Sequence, residues 1–256
     1  DDDNMYTNKK RAKALFKRMI ERDLAMPWTS PATAVFRLDN ESIDLMAQSG
    51  CSYINIAIEA GSERVTRDIV LKPLDYEHAK KMVAYAKKKG IFVGANFIIG
   101  FPTETWDEIR ETIKVAESLD VDYAKIFIAL PLRNTELFDL AKETDSLLMD
   151  PTDAKTMWTV GGVIKSDHWS ADDLTILRAY EWDRINFSDP KKLKKTAARM
   201  GISIEELNVI RRRTMDYAKK TISERETNGP DSSVKKAADI TLVSSENPST
   251  PLQKKH

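Results

Sequence analysis

Isolated polar side chains interrupt the apolar stretches in the first half of the chain. The stretch Cys51 to Ala60 (CSYINIAIEA) is apolar almost to its end, where Glu59 stands, and the stretch Ile91 to Ile99 (IFVGANFII) contains the amide Asn96. A carboxylate at the end of a buried strand costs free energy unless it is paired or meets a cation, and Lys72 is a candidate partner. The candidate set is Asp2, Asp3, Ser30, Glu59, Lys72 and Asn96.

Two interpretations of this set stay open at the level of the residues. Taken singly, Glu59 and Lys72 could form a structural ion pair, and Asn96 could bond a neighbouring backbone group. Taken together, the residues favour a small-molecule site, because ligands bind at the carboxyl ends of strands in α/β proteins. Carboxylate, ammonium and amide groups are suited to binding charged and hydroxylated ligands.

The elements that must position these residues alternate between strand and helix. Besides the two stretches above, a third strand is predicted over Asp122 to Leu130, and a short extended piece surrounds Ser30. A helix capped by Asp75 is predicted to end at Lys89, and Glu104 is predicted to open the next helix. Successive strand ends lie roughly 30–40 residues apart, which is the length of a βαβ unit. This pattern predicts a parallel sheet, open or closed into a barrel.

Composition excludes several classes of protein. The chain has 256 residues, no net formal charge and 41% hydrophobic residues, which suits one globular domain with an appendage. No apolar run approaches the roughly 18 residues of a membrane span, so a cytoplasmic protein is expected. The single cysteine, Cys51, is predicted to be a buried core residue, and the three histidines are not accompanied by other metal ligands.

The second half of the chain has a different character. Residues 146–225 are predicted to form a cover and an all-helical extension, in which Ser203 and Glu206 form a capping box. This extension is basic and includes the run Arg211 to Arg213. Residues 226–256 are rich in Ser, Pro, Asn and Lys without periodicity, which predicts a disordered tail.

Five motifs occur in an order that is characteristic of one family. They are DDNMYT (2–7), GCSYINIAIEAGS (50–62), KPL (72–74), GANFIIGFPTET (94–105) and DYAKIFIALPLRNTEL (122–137). As a set they resemble the radical S-adenosylmethionine (SAM) superfamily, and within it the group that often carries a cobalamin-binding domain upstream. The resemblance covers the chain from Asp2 to about Glu143, with weaker likeness near residues 180–187.

The resemblance implies that residues 1–145 form a partial (β/α)6 barrel of the radical SAM type that holds SAM at the carboxyl ends of its strands. By analogy with the family, Asp2 and Asp3 would lie near the SAM amino group. Glu59 would contact SAM, Lys72 would meet its carboxylate and Asn96 would lie near its ribose. Ile98 to Pro102 would line the adenine side. A zwitterionic amino acid needs both signs of charge, and ribose hydroxyls suit an amide.

One departure from the family concerns its iron–sulfur cluster. The family holds a [4Fe-4S] cluster with a Cys-x3-Cys-x2-Cys loop after the first strand, and no such loop occurs here. Because a cluster needs thiolate ligands, this chain is predicted not to hold one. Either an upstream part is missing or the chain is a degenerate relative. Smaller departures are Thr103, where glycine is common, and Leu132-Arg133-Asn134, where Pro-Gly is common.

The resulting hypothesis is the C-terminal part of a radical SAM enzyme acting on an unknown substrate. In the full-length protein a [4Fe-4S] cluster, an electron donor such as flavodoxin or ferredoxin, and a cobalamin bound upstream are the expected accessories. No membrane partner is expected, and nucleic acid is not the favoured partner. The alternative is a cluster-free α/β binding module whose basic helical end contacts RNA or a partner protein.

Overall fold

Four parallel strands form the centre of the computed structural model. They are β1 (Trp28–Thr33), β2 (Cys51–Glu59), β3 (Phe92–Ile99) and β4 (Tyr123–Ile128). The strands lie side by side in chain order, and each neighbouring pair is parallel. The structure describes residues 5–24, 26–72, 74–149 and 162–230. The predicted α/β fold with a parallel sheet is confirmed.

Helices connect the strands and continue after them. They are α1 (Lys9–Glu21), α2 (Asn40–Gln48), α3 (Tyr76–Lys88), α4 (Trp106–Ser118), α5 (Glu136–Glu143), α6 (Ala171–Phe187), α7 (Pro190–Met200) and α8 (Ile204–Asn228). Two predicted caps are confirmed. The Asp75 carboxylate accepts from the backbone N–H of His78 at 2.9 Å, and Ser203 forms a capping box with Glu206.

One face of the sheet is fully apolar and lies under α2, α3 and α4. Every second residue of each strand contributes to this face, as the alternation of side chains along a strand requires. Its members are all buried: Ile54, Ile56, Ile58, Val93, Ala95, Phe97, Ile99, Ala124, Ile126 and Ile128. Cys51, predicted to be a core residue, is also buried, which confirms that prediction.

The second face of the sheet carries polar as well as apolar side chains. At its amino end it is covered by α7, where Arg199 lies 4.9 Å from the ring centroid of Tyr53 and Lys195 lies 5.3 Å from that of Phe92. Toward the carboxyl end, Asn96 and Lys125 keep partial exposure.

Helix α6 closes the free edge of β4 with a side chain instead of a strand. The amide of Asn186 accepts from the backbone N–H of Ala124 at 2.7 Å and donates to the carbonyl oxygen of the same residue at 2.8 Å. One turn earlier, the Trp182 indole N–H donates to the Tyr123 hydroxyl at 3.0 Å. The amide therefore satisfies two backbone groups that an unpaired edge strand would leave open.

Helix α8 packs on α6 through ion pairs. Arg211 contacts Asp183 at 2.7 Å, and Arg225 contacts Asp173. Two arginines of the predicted basic extension therefore form ion pairs within the molecule. The helix continues to Asn228, three residues into the stretch predicted as a disordered tail. Residues 231–256 of that stretch lie outside the described residues, so the tail stays a prediction.

Candidate functional site

A row of three residues crosses the second face near the carboxyl ends of the strands. Asn96 of β3 has Ala57 of β2 and Lys125 of β4 as its Cα partners, so the three side chains share one face. The Asn96 Oδ1 atom is buried and makes no hydrogen bond with any residue in the described part of the chain. A buried amide oxygen without a donor costs about 1–3 kcal/mol. The row therefore presents an acceptor that a ligand hydroxyl would satisfy.

Beyond the row, β2 ends in a bulge that carries the predicted acid. Ala57 is paired with Asn96, but Glu59 is paired with Phe97, so two residues of β2 stand opposite one of β3. Glu59 also has φ +69°, a left-handed conformation that residues other than glycine rarely adopt. Bulges and such backbone conformations concentrate at functional sites, where they re-aim a side chain.

The structure brings Glu59 and Lys72 together. The Lys72 ammonium donates to the Glu59 carboxylate at 2.8 Å, and the lysine side chain is 58% exposed while that of Glu59 is 14% exposed. An ion pair this open to solvent contributes about 0–1 kcal/mol to stability. Its more useful property is that it places one charge of each sign at the end of β2.

The turn after β3 is held by a carboxylate that sequence reasoning did not assign. Glu104 is fully buried and accepts from the backbone N–H of Gly100 at 2.6 Å and of Phe101 at 2.9 Å. Its own carbonyl oxygen accepts from the Trp169 indole at 2.7 Å. Helix α4 begins at Trp106 with Thr105 as its cap, so the prediction that Glu104 opens the helix was wrong. The Glu104 side chain instead binds the backbone of the turn that precedes it in the chain.

Burial gives Glu104 unusual acid–base behaviour. Desolvation raises the pKa of this carboxyl to about 8, although the two backbone N–H donors oppose the shift. The folded protein therefore holds the proton more tightly than the unfolded chain does. Stability conferred by the protonated form is complete below the ordinary glutamate pKa and is lost as the pH rises toward 8.

We expect Glu104→Gln to flatten the pH dependence of stability between about pH 5 and pH 8. The slope contributed by one such group is at most about 1.4 kcal/mol per pH unit. Glutamine keeps an oxygen for the N–H groups of Gly100 and Phe101 but does not titrate. The free energy of unfolding in urea at several pH values would measure the effect, with the exposed Glu136→Gln as control. Parallel pH curves for the wild type and Glu104→Gln would contradict the assignment.

The other predicted site residues fall in different places. Ile98 follows Asn96 on the same face and is half-buried, while Pro102 is buried in the turn. Ser30 does not join the row: its Cα partner is Ile54, three residues before Ala57, and its hydroxyl accepts from Thr33 at 2.9 Å. Asp2 and Asp3 lie outside the described residues and stay predictions.

Sequence reasoning also missed Lys125, the one charged residue inside the stretch Tyr123 to Ile128. The argument that singled out Asn96 applies equally here, because a polar side chain inside an apolar strand needs a reason. Alternation from Tyr123 would have placed Lys125 on the second face. What the sequence could not supply is the register that sets it beside Asn96.

The two loop departures share one backbone property. Thr103 has φ +68° and Asn134 has φ +66°, both in the left-handed region where glycine is most easily accommodated. Asparagine tolerates this conformation, whereas a β-branched threonine does so at a cost of about 1–2 kcal/mol. Thr103 therefore holds a left-handed backbone conformation at that cost.

The residues present do not fit an iron–sulfur cluster. The only thiol of the sequence, Cys51, lies at the start of β2, is 6% exposed and has a pKa raised to about 12 by burial. Cluster ligation needs several thiolates at one place. Among the described residues there is also no group of three His, Cys, Asp or Glu side chains that could hold a metal ion.

Parallel strands, a row of residues that includes Asn96 and Lys125, and a turn after β3 held by Glu104 define an α/β protein with a candidate ligand site on one face of its sheet. Residues 3–116 match the family model of the Radical SAM superfamily. The resemblance seen in the motifs is thereby confirmed. Within the described residues, no helix is both long enough and apolar enough to cross a membrane.

Named relatives include two methyltransferases. The chain is 34% identical over 143 residues to the cytidylyl-2-hydroxyethylphosphonate methyltransferase of Streptomyces wedmorensis. The matched region covers 53% of this chain and 26% of that protein. It is 32% identical over 176 residues to an uncharacterized methyltransferase of Pyrococcus horikoshii, covering 69% of this chain and 38% of the relative. The chain thus spans about a quarter to two fifths of these relatives.

A solved structure agrees on the fold. The radical SAM methyltransferase TsrM from Kitasatospora setae, solved with cobalamin and a [4Fe-4S] cluster, matches with a TM-score of 0.50 and 18% identity over 58% of this chain and 29% of that one. At this identity the likeness concerns the fold alone. It supports the description of the four-stranded sheet as part of a radical SAM barrel.

Proposed function

We propose that this chain supplies the SAM-binding part of a radical SAM enzyme related to methyltransferases. The observation that carries the proposal is the buried Asn96 Oδ1, which has no partner in the described residues and lies beside the end of β2. A ribose hydroxyl is the donor that would satisfy it. The match of residues 3–116 to the superfamily model supports the choice of SAM over other nucleosides.

Each end of SAM has a suitable group in the structure. The ion pair of Glu59 and Lys72 offers a carboxylate for the ammonium group and an ammonium for the carboxylate of the methionine moiety. Ile98 and Pro102 offer apolar surface for the adenine. Glu104 maintains the turn after β3 by binding its backbone N–H groups. These residues bind and orient the nucleoside, and none of them is assigned a proton transfer.

Reductive cleavage of SAM would require groups that this sequence does not contain. One cysteine cannot provide the thiolates of a [4Fe-4S] cluster, so the cluster ligands would come from outside these 256 residues. The same holds for any cobalamin and for an electron donor such as flavodoxin or ferredoxin. The names of the relatives favour methyl transfer as the reaction class.

The 256-residue chain is expected to bind SAM in calorimetry, and Asn96→Ala and Glu59→Gln are each expected to weaken binding about tenfold. Loss of one hydrogen bond to a charged or buried group corresponds to about 1.5 kcal/mol. Glu77→Gln and Lys114→Met, on exposed positions of α3 and α4, are matched controls that should bind as the wild type does. SAM binding that is unchanged in both site variants would contradict the proposed site.

A further inference from the structure

Strand β2 ends in a tight turn centred on Glu59. The backbone N–H of Ala60 donates to the carbonyl oxygen of Ile58 at 3.0 Å, and Glu59 between them has φ +69°. This hydrogen bond and this backbone angle are those of a γ-turn with positive φ, which is a rare and strained conformation. A residue held in such a conformation keeps it only where the surrounding structure fixes the turn.

Two helices fix the chain just after this turn. The Tyr76 hydroxyl of α3 donates to the carbonyl oxygen of Ala60 at 2.7 Å. The backbone N–H of Gly61 donates to the hydroxyl of Thr112, a fully buried residue of α4, at 2.8 Å. The peptide that joins Ala60 to Gly61 is therefore bonded on one side to α3 and on the other to α4. Neither bond lies within the sheet.

The Tyr76 hydroxyl is well suited to this position. Ala60 is fully buried, so its carbonyl oxygen needs a donor from the protein itself. Burial raises the pKa of Tyr76 to about 12, so the hydroxyl keeps its proton and donates at neutral pH. Tyr76 also lines a cavity of about 520 Å³ together with Lys72, the partner of Glu59. One tyrosine thus bonds the turn that carries the acid and lines the cavity that the base reaches.

We propose that Tyr76 and Thr112 are positioning residues that aim the Glu59 carboxylate at the ammonium group of SAM. This inference rests on the proposed function, because it concerns the same site. Glu59 contacts the ligand, whereas Tyr76 and Thr112 act through the turn that carries Glu59. A turn that is fixed before the ligand arrives removes an ordering cost from binding.

Calorimetry of the 256-residue chain with two nucleosides tests the inference. SAM carries an amino acid moiety and 5′-methylthioadenosine lacks it, so only SAM binding should depend on the direction of Glu59. We expect Tyr76→Phe and Thr112→Val each to weaken SAM binding about fivefold and to leave 5′-methylthioadenosine binding unchanged. Tyr85→Phe is the matched control, because it removes another hydroxyl of α3, one that bonds Asp44. It should bind both nucleosides as the wild type does.

A double-mutant cycle separates positioning from a general loss of structure. In a chain that already carries Glu59→Gln, Tyr76→Phe should weaken SAM binding no further, because the carboxylate that it positions is gone. Equal losses in the wild-type and Glu59→Gln backgrounds would overturn the inference. Equal losses for SAM and 5′-methylthioadenosine would also overturn it, since they would show that Tyr76 acts on the whole site.

Urea unfolding gives a measurement that does not depend on SAM. Glycine adopts positive φ readily and alanine does not, so Glu59→Gly should have an unfolding equilibrium constant about fivefold smaller than that of Glu59→Ala. Adding Tyr76→Phe to both variants should reduce this difference, because the turn is then free to open. A difference that Tyr76→Phe leaves unchanged would show that the tyrosine does not hold the turn, against the inference.

Failure of the inference and failure of the proposed function give different results. If SAM binding depends on Asn96 and Glu59 but not on Tyr76 and Thr112, only the positioning role is overturned. If SAM does not bind, while the comparison of Glu59→Gly with Glu59→Ala depends on Tyr76, the proposed function is overturned and the held turn is left as a structural feature.

Discussion

Asn186→Ala is expected to destabilise the protein by about 3–5 kcal/mol. The fully buried amide bonds both the N–H and the carbonyl oxygen of Ala124, and it donates to the carbonyl oxygen of Trp182 at 2.9 Å. Alanine would leave both backbone groups of β4 buried without a partner, at a cost of about 1–3 kcal/mol each. A cavity where the amide stood adds to this. Urea unfolding followed by circular dichroism would measure the loss.

Asn208→Ala is the matched control for this variant. Asn208 lies on α8, is partly exposed and makes one hydrogen bond, accepting from Arg211 at 2.9 Å. Because water can replace its amide, we expect a loss below about 1 kcal/mol. If Asn186→Ala cost no more than Asn208→Ala, the amide would not be what closes the edge of β4. The position of α6 would then need another explanation.

Gly61→Ala is expected to cost about 3 kcal/mol or more and to abolish SAM binding. A Cβ atom at this position would lie 2.5 Å from the Cα of Thr112 and 2.6 Å from the backbone of Glu111, so α4 would have to move. Overpacking against backbone is not relieved by rotation of a side chain. Gly61 follows the bulge of β2 by two residues, and a shift here displaces Glu59 from Lys72. Urea unfolding and calorimetry with SAM are the two measurements.

Gly90→Ala is the control for Gly61→Ala, because it measures the conformational cost of alanine to stability without a steric clash. Gly90 has φ +81° and nothing lies within 4 Å of a Cβ built on it, so alanine there meets only left-handed strain of about 1–2 kcal/mol. SAM binding should be unaffected, because Gly90 lies at the other end of β3. Equal losses of stability in Gly61→Ala and Gly90→Ala would contradict the close approach of α4 to the end of β2.

Most of the fold follows from local patterns in the sequence. The apolar run of β2 with its isoleucines, and the helix cap at Asp75, predict these elements from the sequence. Such patterns work because alternation and capping depend on neighbours within a few residues. The candidate site was partly predictable for the same reason, since Asn96 stands out in an apolar strand.

The missed residues depend on contacts that are not local. Lys125 becomes part of a site only when the register of β4 sets it beside Asn96. Helix α6 is joined to β4 by the amide of Asn186, which bonds the backbone of Ala124, 62 residues earlier in the chain. Glu104 is close in sequence to Gly100 and Phe101, whose N–H groups it accepts from. The turn between them is also held by Trp169, whose indole N–H donates to the carbonyl oxygen of Glu104.

By itself, the sequence determined the succession of strands and helices and the likeness of residues 3–116 to one family. It also singled out the carboxylate of Glu59, the ammonium of Lys72 and the amide of Asn96 as candidate site groups. These depend on residue type and on spacing within one element. The tertiary structure decided which polar groups lie together: it paired Glu59 with Lys72, separated Ser30 from the row and added Lys125. Strand register and helix docking are set by packing across the whole sheet, and no single segment contains that information.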